Sequence, residues 1–269
     1  MNDPQALLDE AIQSYYTSFE EDSRLTARSV GGRLELARMR ALLASRLAPG
    51  SRVLDVGGAT GVHAAWLAEH GHDVTLVDPV PAQVEAAAAI GTFEAVVGDA
   101  RALPVPDESV DLVLLAGPLY HLIARDDRIR ALAEARRVLR SGGTLFAQAI
   151  GRLTAFADSV RVGGFEAVDE DDLQVLRTGE WTNPGPGFPG GHFHTACELR
   201  GEVEEAGFGE VTLHGLEGPN LGVLELVVHD AELERAGLHL AESAEAAIAG
   251  PYRDVLADAS PHLLAIAVR

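Results

Sequence analysis

The sequence contains no lysine, so each of its 21 fixed positive charges is an arginine. That absence excludes a P-loop lysine over a nucleotide phosphate, a pyridoxal Schiff base and a lysine general base. Cysteine is nearly missing as well. Cys197 stands alone, so no intramolecular disulfide can form, which suits a reducing compartment. No run of about 18 apolar residues is available to span a membrane. The opening MNDPQALLDE carries acids where a secretory leader has a basic start and then an apolar stretch. The expectation is a cytoplasmic protein.

Positive charge is in short supply overall. The chain of 269 residues has 41 Asp and Glu, for a formal charge of −20. Such a surface repels a phosphate backbone and argues against nucleic acid as a partner. An apolar content of 47% is enough for a packed core.

Residues 5–19 have helical apolar spacing, and 34–47 read as a second helix stopped by Pro49-Gly50. Short β-branched runs then alternate with helices. Strands are expected at 52–56, 73–77, 94–97, 110–115 and 144–150, with helices at 62–70, 82–90 and 128–139, the last closed by Ser141-Gly142-Gly143. This rhythm implies βαβ units and a mostly parallel sheet covered by helices on both faces. Later come a helix at 198–206, a strand at 210–216, a largely helical stretch at 221–258 and a final strand at 262–268. A glycine- and proline-rich loop, NPGPGFPGGHFHT, precedes them at 183–195; such loops are usually functional or mobile.

The densest motif sits at the first strand-to-helix turn, Val53-Leu54-Asp55-Val56-Gly57-Gly58-Ala59-Thr60-Gly61. Glycines there let a ligand approach the backbone. A dinucleotide G-x-G-x-x-G fails twice, at Ala59 and at Val62, which counts against an NAD(P) oxidoreductase. What remains, Asp55-x-Gly57-x-Ala59-x-Gly61, resembles motif I of the class I S-adenosylmethionine-dependent methyltransferases, with Ala59 in place of the middle glycine. Further motifs follow in order. Asp78 ends the second strand before Pro79, where a carboxylate can accept both ribose hydroxyl protons or cap the next helix. Gly98-Asp99-Ala100 follows strand three, and the resemblance places Asp99 and Ala100 by the adenine. Pro104 to Asp107, then Ser109-Val110-Asp111-Leu112-Val113, match the family's strand four. Arg137 to Leu145 resembles its helix-strand passage, with Ser141 for the usual proline.

The segment Gly117-Pro118-Leu119-Tyr120-His121-Leu122 resembles a bacterial small-molecule subset of the family. It lacks the N/D-P-P-Y/F pattern of enzymes that methylate base amines. Tyr120 offers a hydroxyl there. The His121 imidazole could take an acceptor proton near neutral pH, or hold a neighbouring backbone group. Tyr16 and Arg24, in a polar and aromatic N-terminal cluster, could reach the methionine end of the cofactor. His194, paired with His192 around Phe193, is a candidate acid, base or substrate contact. The H-x-H spacing has no partner set for zinc, so no metal is expected.

The resemblance implies a Rossmann-like, doubly wound, seven-stranded, mostly parallel α/β sheet with helical cap segments. Residues 1–269 read as one domain: an N-terminal helical cap at 1–48, a cofactor-binding core at 50–150, and a cap or substrate insertion at 151–197. Core follows again at 198–217, then a helical insertion at 218–258 and the last strand at 260–269. The implied cofactor is S-adenosyl-L-methionine. Its expected contacts are Asp55, Gly57, Gly58, Ala59, Gly61, Asp78, Pro79, Asp99, Ala100, Leu115, Tyr16 and Arg24, with His121, Tyr120 and His194 as catalytic candidates. The implied reaction is methyl transfer to a small-molecule acceptor, without nucleic acid or membrane, and with a homodimer left open. A non-catalytic protein that binds the cofactor, or one that runs a non-methyl reaction with it, has the same motifs.

Overall fold

The computed structural model describes residues 4–18, 25–26, 30–163, 168–181, 188–219, 231–248, 250 and 252–269. Nine strands are assigned among them: β1 (Arg52–Val56), β2 (Asp73–Asp78), β3 (Glu94–Val97), β4 (Val110–Ala116), β5 (Leu139–Ile150), β6 (Glu180–Trp181), β7 (Gly191–His192), β8 (Gly209–Gly215) and β9 (His262–Val268). Seven of them form one sheet in the order β3-β2-β1-β4-β5-β9-β8, and β6 and β7 form a separate antiparallel ribbon. The pairings from β3 through β5 are parallel. β9 runs antiparallel to both β5 and β8. The sheet is therefore mostly parallel and Rossmann-like, as the alternating pattern implies.

The helices are α1 (Pro4–Ser18), α2 (Val30–Ala44), α3 (Val62–Glu69), α4 (Pro81–Ala88), α5 (Pro118–His121), α6 (Arg125–Val138), α7 (Arg152–Gly163), α8 (Glu170–Thr178), α9 (Ala196–Glu205), α10 (Ala231–Ala247) and α11 (Tyr252–Ala257). Strand side chains alternate between two layers of core. Val53, Leu112, Leu114, Phe146 and Ile266 meet Met39 and Leu43 of α2 and Leu67 of α3. Leu54, Val113, Leu145 and Ala265 meet Leu132 and Val138 of α6 and Leu199 of α9 on the other face. Both faces being covered explains why the strands read as unbroken apolar runs.

Two local expectations change. The helix expected from Leu34 begins at Val30 and runs through buried Gly31 and Gly32. Close packing overrides glycine's low helix propensity here. At the same contact a Cβ on Gly237 of α10 would lie 2.6 Å from Leu34 Cδ2. Ser141-Gly142-Gly143, read as a helix end, instead lies inside β5. The reason is backbone pairing: Gly142 N–H donates to the Arg269 carbonyl at 3.1 Å, and Arg269 N–H to the Gly143 carbonyl at 3.0 Å. β8 spans 209–215, one residue earlier than expected at each end, while β9 matches its expected 262–268.

Candidate functional site

A cavity of about 290 Å³ opens along the carboxyl ends of the parallel strands. Its floor is the turn between β1 and α3. Gly57, Ala59 and Gly61 all have positive φ, at 76°, 48° and 93°. Alternate left-handed residues fold the turn so tightly that side chains have no room. A Cβ on Gly57 would lie 2.7 Å from Pro118 Cδ, and one on Gly58 2.7 Å from Asp55 Oδ2. Gly117, the first residue after β4, has φ 139° and faces the Gly57 carbonyl. Two strand-end turns thus touch through glycines, leaving bare backbone beside the cavity.

Two carboxylates lie against this turn. Asp78 is 5% exposed, and its oxygens accept the Ala59 N–H at 3.0 Å and the Val80 N–H at 2.9 Å. Burial raises its pKa against the pull of those two N–H groups. Each oxygen keeps a second lone pair for a ligand. Asp55 has no exposure, and neither of its oxygens has a hydrogen-bond partner. Burial first, then the Asp78 charge, push its pKa up to about 7. The Ala64 N–H pulls the other way without reaching hydrogen-bond geometry. A buried carboxyl with orphan oxygens in a cavity wall is a group awaiting a partner.

Next along the sheet edge, Asp99 is gripped by Arg101 through Nε at 2.9 Å and Nη2 at 2.6 Å. Burial works to raise the Asp99 pKa, but the Arg101 contacts win and hold it low. Arg101 also reaches Asp9 on α1 and Asp127 on α6. Ala100 and Pro79 line the same end of the cavity.

Helix α1 lies over the mouth. Tyr16 Oη is 2.9 Å from His121 Nε2. The Gln13 side-chain amide donates to the Pro79 carbonyl at 2.6 Å, Gln5 to the His121 carbonyl at 3.1 Å, and Gln83 of α4 to the Tyr16 carbonyl. Phe188 stacks on His121 with ring centroids 5.1 Å apart and planes at 19°. Burial pushes the His121 pKa down to about 4, against a contact from Gly190. At neutral pH the imidazole is uncharged and a weak proton acceptor, so the geometry favours a positioning role over a general base. The far end of the cavity, past β4, is lined by Gln148 of β5 and Glu35 of α2.

The turn residues Asp55, Gly57, Gly58 and Ala59 therefore meet Asp78, Pro79, Asp99, Ala100, Tyr16, Tyr120 and His121 around one cavity. Three expected residues do not join them. His194 has no exposure and lies outside the cavity wall, with Nε2 3.1 Å from Glu202 Oε2. Arg128 closes that network by donating to both Glu202 oxygens. His194 is thus tied into a buried network with Glu202 and Arg128. Leu115 has no exposure and points into the α6 core. Gly61 lies beneath Phe93 as the residue before α3 and supports the turn without lining the cavity. Arg24 lies outside the described residues. Sequence reasoning missed Glu35, Gln148, Gln13, Gln83 and Arg101. Gln148 left a signal, a lone amide within the apolar run LFAQAI.

Comparison with known proteins adds a common thread. A family model described as a methyltransferase domain matches residues 54–147. An uncharacterized methyltransferase of Mycobacterium tuberculosis is 43% identical over 95 residues, 35% of this chain and 37% of that protein. The match thus spans little more than a third of that relative's length. A ubiquinone/menaquinone biosynthesis C-methyltransferase, UbiE, of Acidiphilium cryptum is 31% identical over 189 residues, covering 63% of this chain and 71% of that one. A solved structure from Thermotoga maritima, described as a SAM-dependent methyltransferase and possible histamine N-methyltransferase, has a TM-score of 0.58 at 20% identity. The likeness covers 97% of this chain and 99% of that one and is one of fold.

Proposed function

The chain belongs to the class I S-adenosylmethionine-dependent methyltransferases, and on that premise we propose that it methylates a small-molecule acceptor in the cavity beneath α1. The observation that carries this reading is the bare glycine turn with Asp78 bonded to it and Asp55 left without a partner. Those residues fit the cofactor: an adenosyl group needs close backbone approach and a carboxylate for its ribose, and its amino acid end brings donors for an orphan oxygen.

When bound, the cofactor supplies an electrophilic methyl group on sulfur, open to in-line attack. Asp78 holds the ribose hydroxyls. Asp99, steadied by Arg101, and Ala100 face the base. The turn from Gly57 to Ala59, with Asp55 behind it, would take the amino acid end together with Tyr16. Tyr120 and His121 stand where the acceptor enters, and His121 orients Tyr16. Helix α1 excludes water, so alignment supplies most of the rate. The segments 151–197 and 218–258 are read as cap segments of a single domain.

Named activities on this fold include a C-methyltransferase and a possible N-methyltransferase, so the acceptor atom is left open. Among the described residues no helix is long and apolar enough to cross a membrane. The acidic composition supports a reading without a nucleic-acid partner.

The test joins calorimetry to methyl transfer. Wild-type protein should bind S-adenosylhomocysteine, and Asp78→Ala should bind it at least tenfold more weakly. Tritiated methyl transfer to a panel of small hydroxyl, amine and carbon acceptors should follow. Tight binding with no transfer to any of them would sink the catalytic reading and leave a cofactor-binding protein.

A further inference from the structure

We propose that Glu35, Glu217 and His262 form a site for one divalent transition-metal ion, at the end of the sheet edge opposite Asp99. One donor atom from each lies within 4.8 Å of the others. They come from three separate places: α2, the residue pair after β8, and the first position of β9. Glu35 is 3% exposed and Glu217 1%.

The carboxylates are turned the way metal ligands are turned. In each, one oxygen accepts an outer hydrogen bond and the other faces His262 Nδ1. The Gln148 side-chain amide donates to Glu35 Oε1 at 2.8 Å, and Oε2 lies 3.4 Å from His262 Nδ1. The Ser260 hydroxyl and the His262 N–H donate to Glu217 Oε2 at 2.7 and 3.0 Å, and Oε1 is hydrogen-bonded to the same Nδ1 at 2.5 Å, a contact that an ion would replace. Outer hydrogen bonds of this kind fix ligand orientation in metal sites. Metal–ligand bonds of about 2.1 Å set neighbouring donor atoms roughly 3 Å apart, so an ion requires Glu217 Oε1 to move by about half an ångström. Two carboxylates and one imidazole suit Mn(II), Fe(II) or Zn(II) better than copper(I) or a purely oxygen-seeking ion.

Glu35 also lines the cavity, which gives an ion a way in. The site itself does not rest on the methyltransferase reading. Only its use does: there the ion would bind an acceptor oxygen and lower the pKa of a hydroxyl. The three ligands lie far apart in the sequence, so no spacing motif announces them.

The test uses the full chain freed of metal by chelator and dialysis. Titration with Mn(II), followed by electron paramagnetic resonance of the free ion, should show one saturable equivalent. His262→Gln and Glu35→Gln should each weaken it at least tenfold. Co(II) added to wild type should give the d–d absorption bands of a low-coordinate nitrogen and oxygen site, a reading that needs no variant to fold. Absence of those bands, or Mn(II) binding equally strong in His262→Gln, overturns the proposal. The cluster is then a histidine held between two glutamates without an ion. S-adenosylhomocysteine binding measured on the same samples separates the two ideas, since its failure sinks the proposed function and leaves the metal result standing.

Discussion

Tyr16 and His121 stand 105 residues apart, yet the phenol oxygen of one lies 2.9 Å from the imidazole Nε2 of the other, with the rings edge to face at 5.5 Å. The contact joins α1 to the segment after β4 across the mouth of the cavity. Because burial holds His121 neutral down to about pH 4, the contact keeps its character across the physiological range. Tyr16→Phe removes one hydrogen bond, about 1 kcal/mol. The expected result is faster amide exchange in 4–18 with little change in the core strands. A pH–rate profile should show no limb from His121 between pH 5 and 8. A limb near pH 6.5 that vanished in His121→Asn would make it a general base after all.

The turn makes a second prediction. Ala59 is held at φ 48°, a region that costs an L-residue about 1–2 kcal/mol. Glycine relieves that strain but loses more entropy on folding. Ala59→Gly should therefore stay within about 1 kcal/mol of wild type. Gly58→Ala should cost about 1–3 kcal/mol, since its Cβ would meet Asp55 and Leu76 at 2.7 Å. Urea denaturation measures both, and a large loss in Ala59→Gly would contradict the strain argument.

Asp55 makes the cofactor-free protein sensitive to pH. In the unfolded chain it ionises near pH 4, but in the folded one only near pH 7. Its folded pKa is raised, so ionisation withdraws stability as pH climbs from 4 to 7, on the order of 4 kcal/mol at most. Asp55→Asn should raise the melting temperature at pH 8, and the gain should shrink toward pH 4. A gain independent of pH would show that Asp55 is not charged there.

Glu202 works in the opposite sense. Burial opposes its charge, but hydrogen bonds from His194 and Arg128 hold its pKa at about 2. That stability is present above its ordinary pKa and is lost as pH falls from about 4.5 toward 2. Glu202→Ala strands a buried guanidinium, for about 3–5 kcal/mol and a melting loss on the order of 10 °C. Differential scanning fluorimetry at pH 7 is the check.

Much of this fold is legible in the chain because its signals are local. Strand runs, helix periodicity and the glycine turn from Gly57 to Gly61 each announce themselves within a dozen residues. The cavity wall is harder to read. Glu35 sits on a helix whose first turn contains two glycines, and what holds that helix is packing from elsewhere. His194 looks catalytic beside a glycine loop because Arg128 and Glu202, which claim it, are supplied by α6 and α9. Leu115 satisfies the family pattern at the end of strand four, but alternation turns its side chain to the core. Periodicity tells which face is buried, not which buried residue borders a cavity.

The placement of β9 bears on how the chain must be made. It is the last in sequence of the strands assigned among the described residues but second from the edge in space, pairing with β5 on one side and β8 on the other. While the polypeptide is being synthesised, β8 is complete long before it has a neighbour to bond. Until residues 262–268 arrive, its apolar face has only helices to lean on. A truncation before His262 therefore removes two strands from the sheet, and it also removes the chain segment that closes the Glu35 and Glu217 cluster.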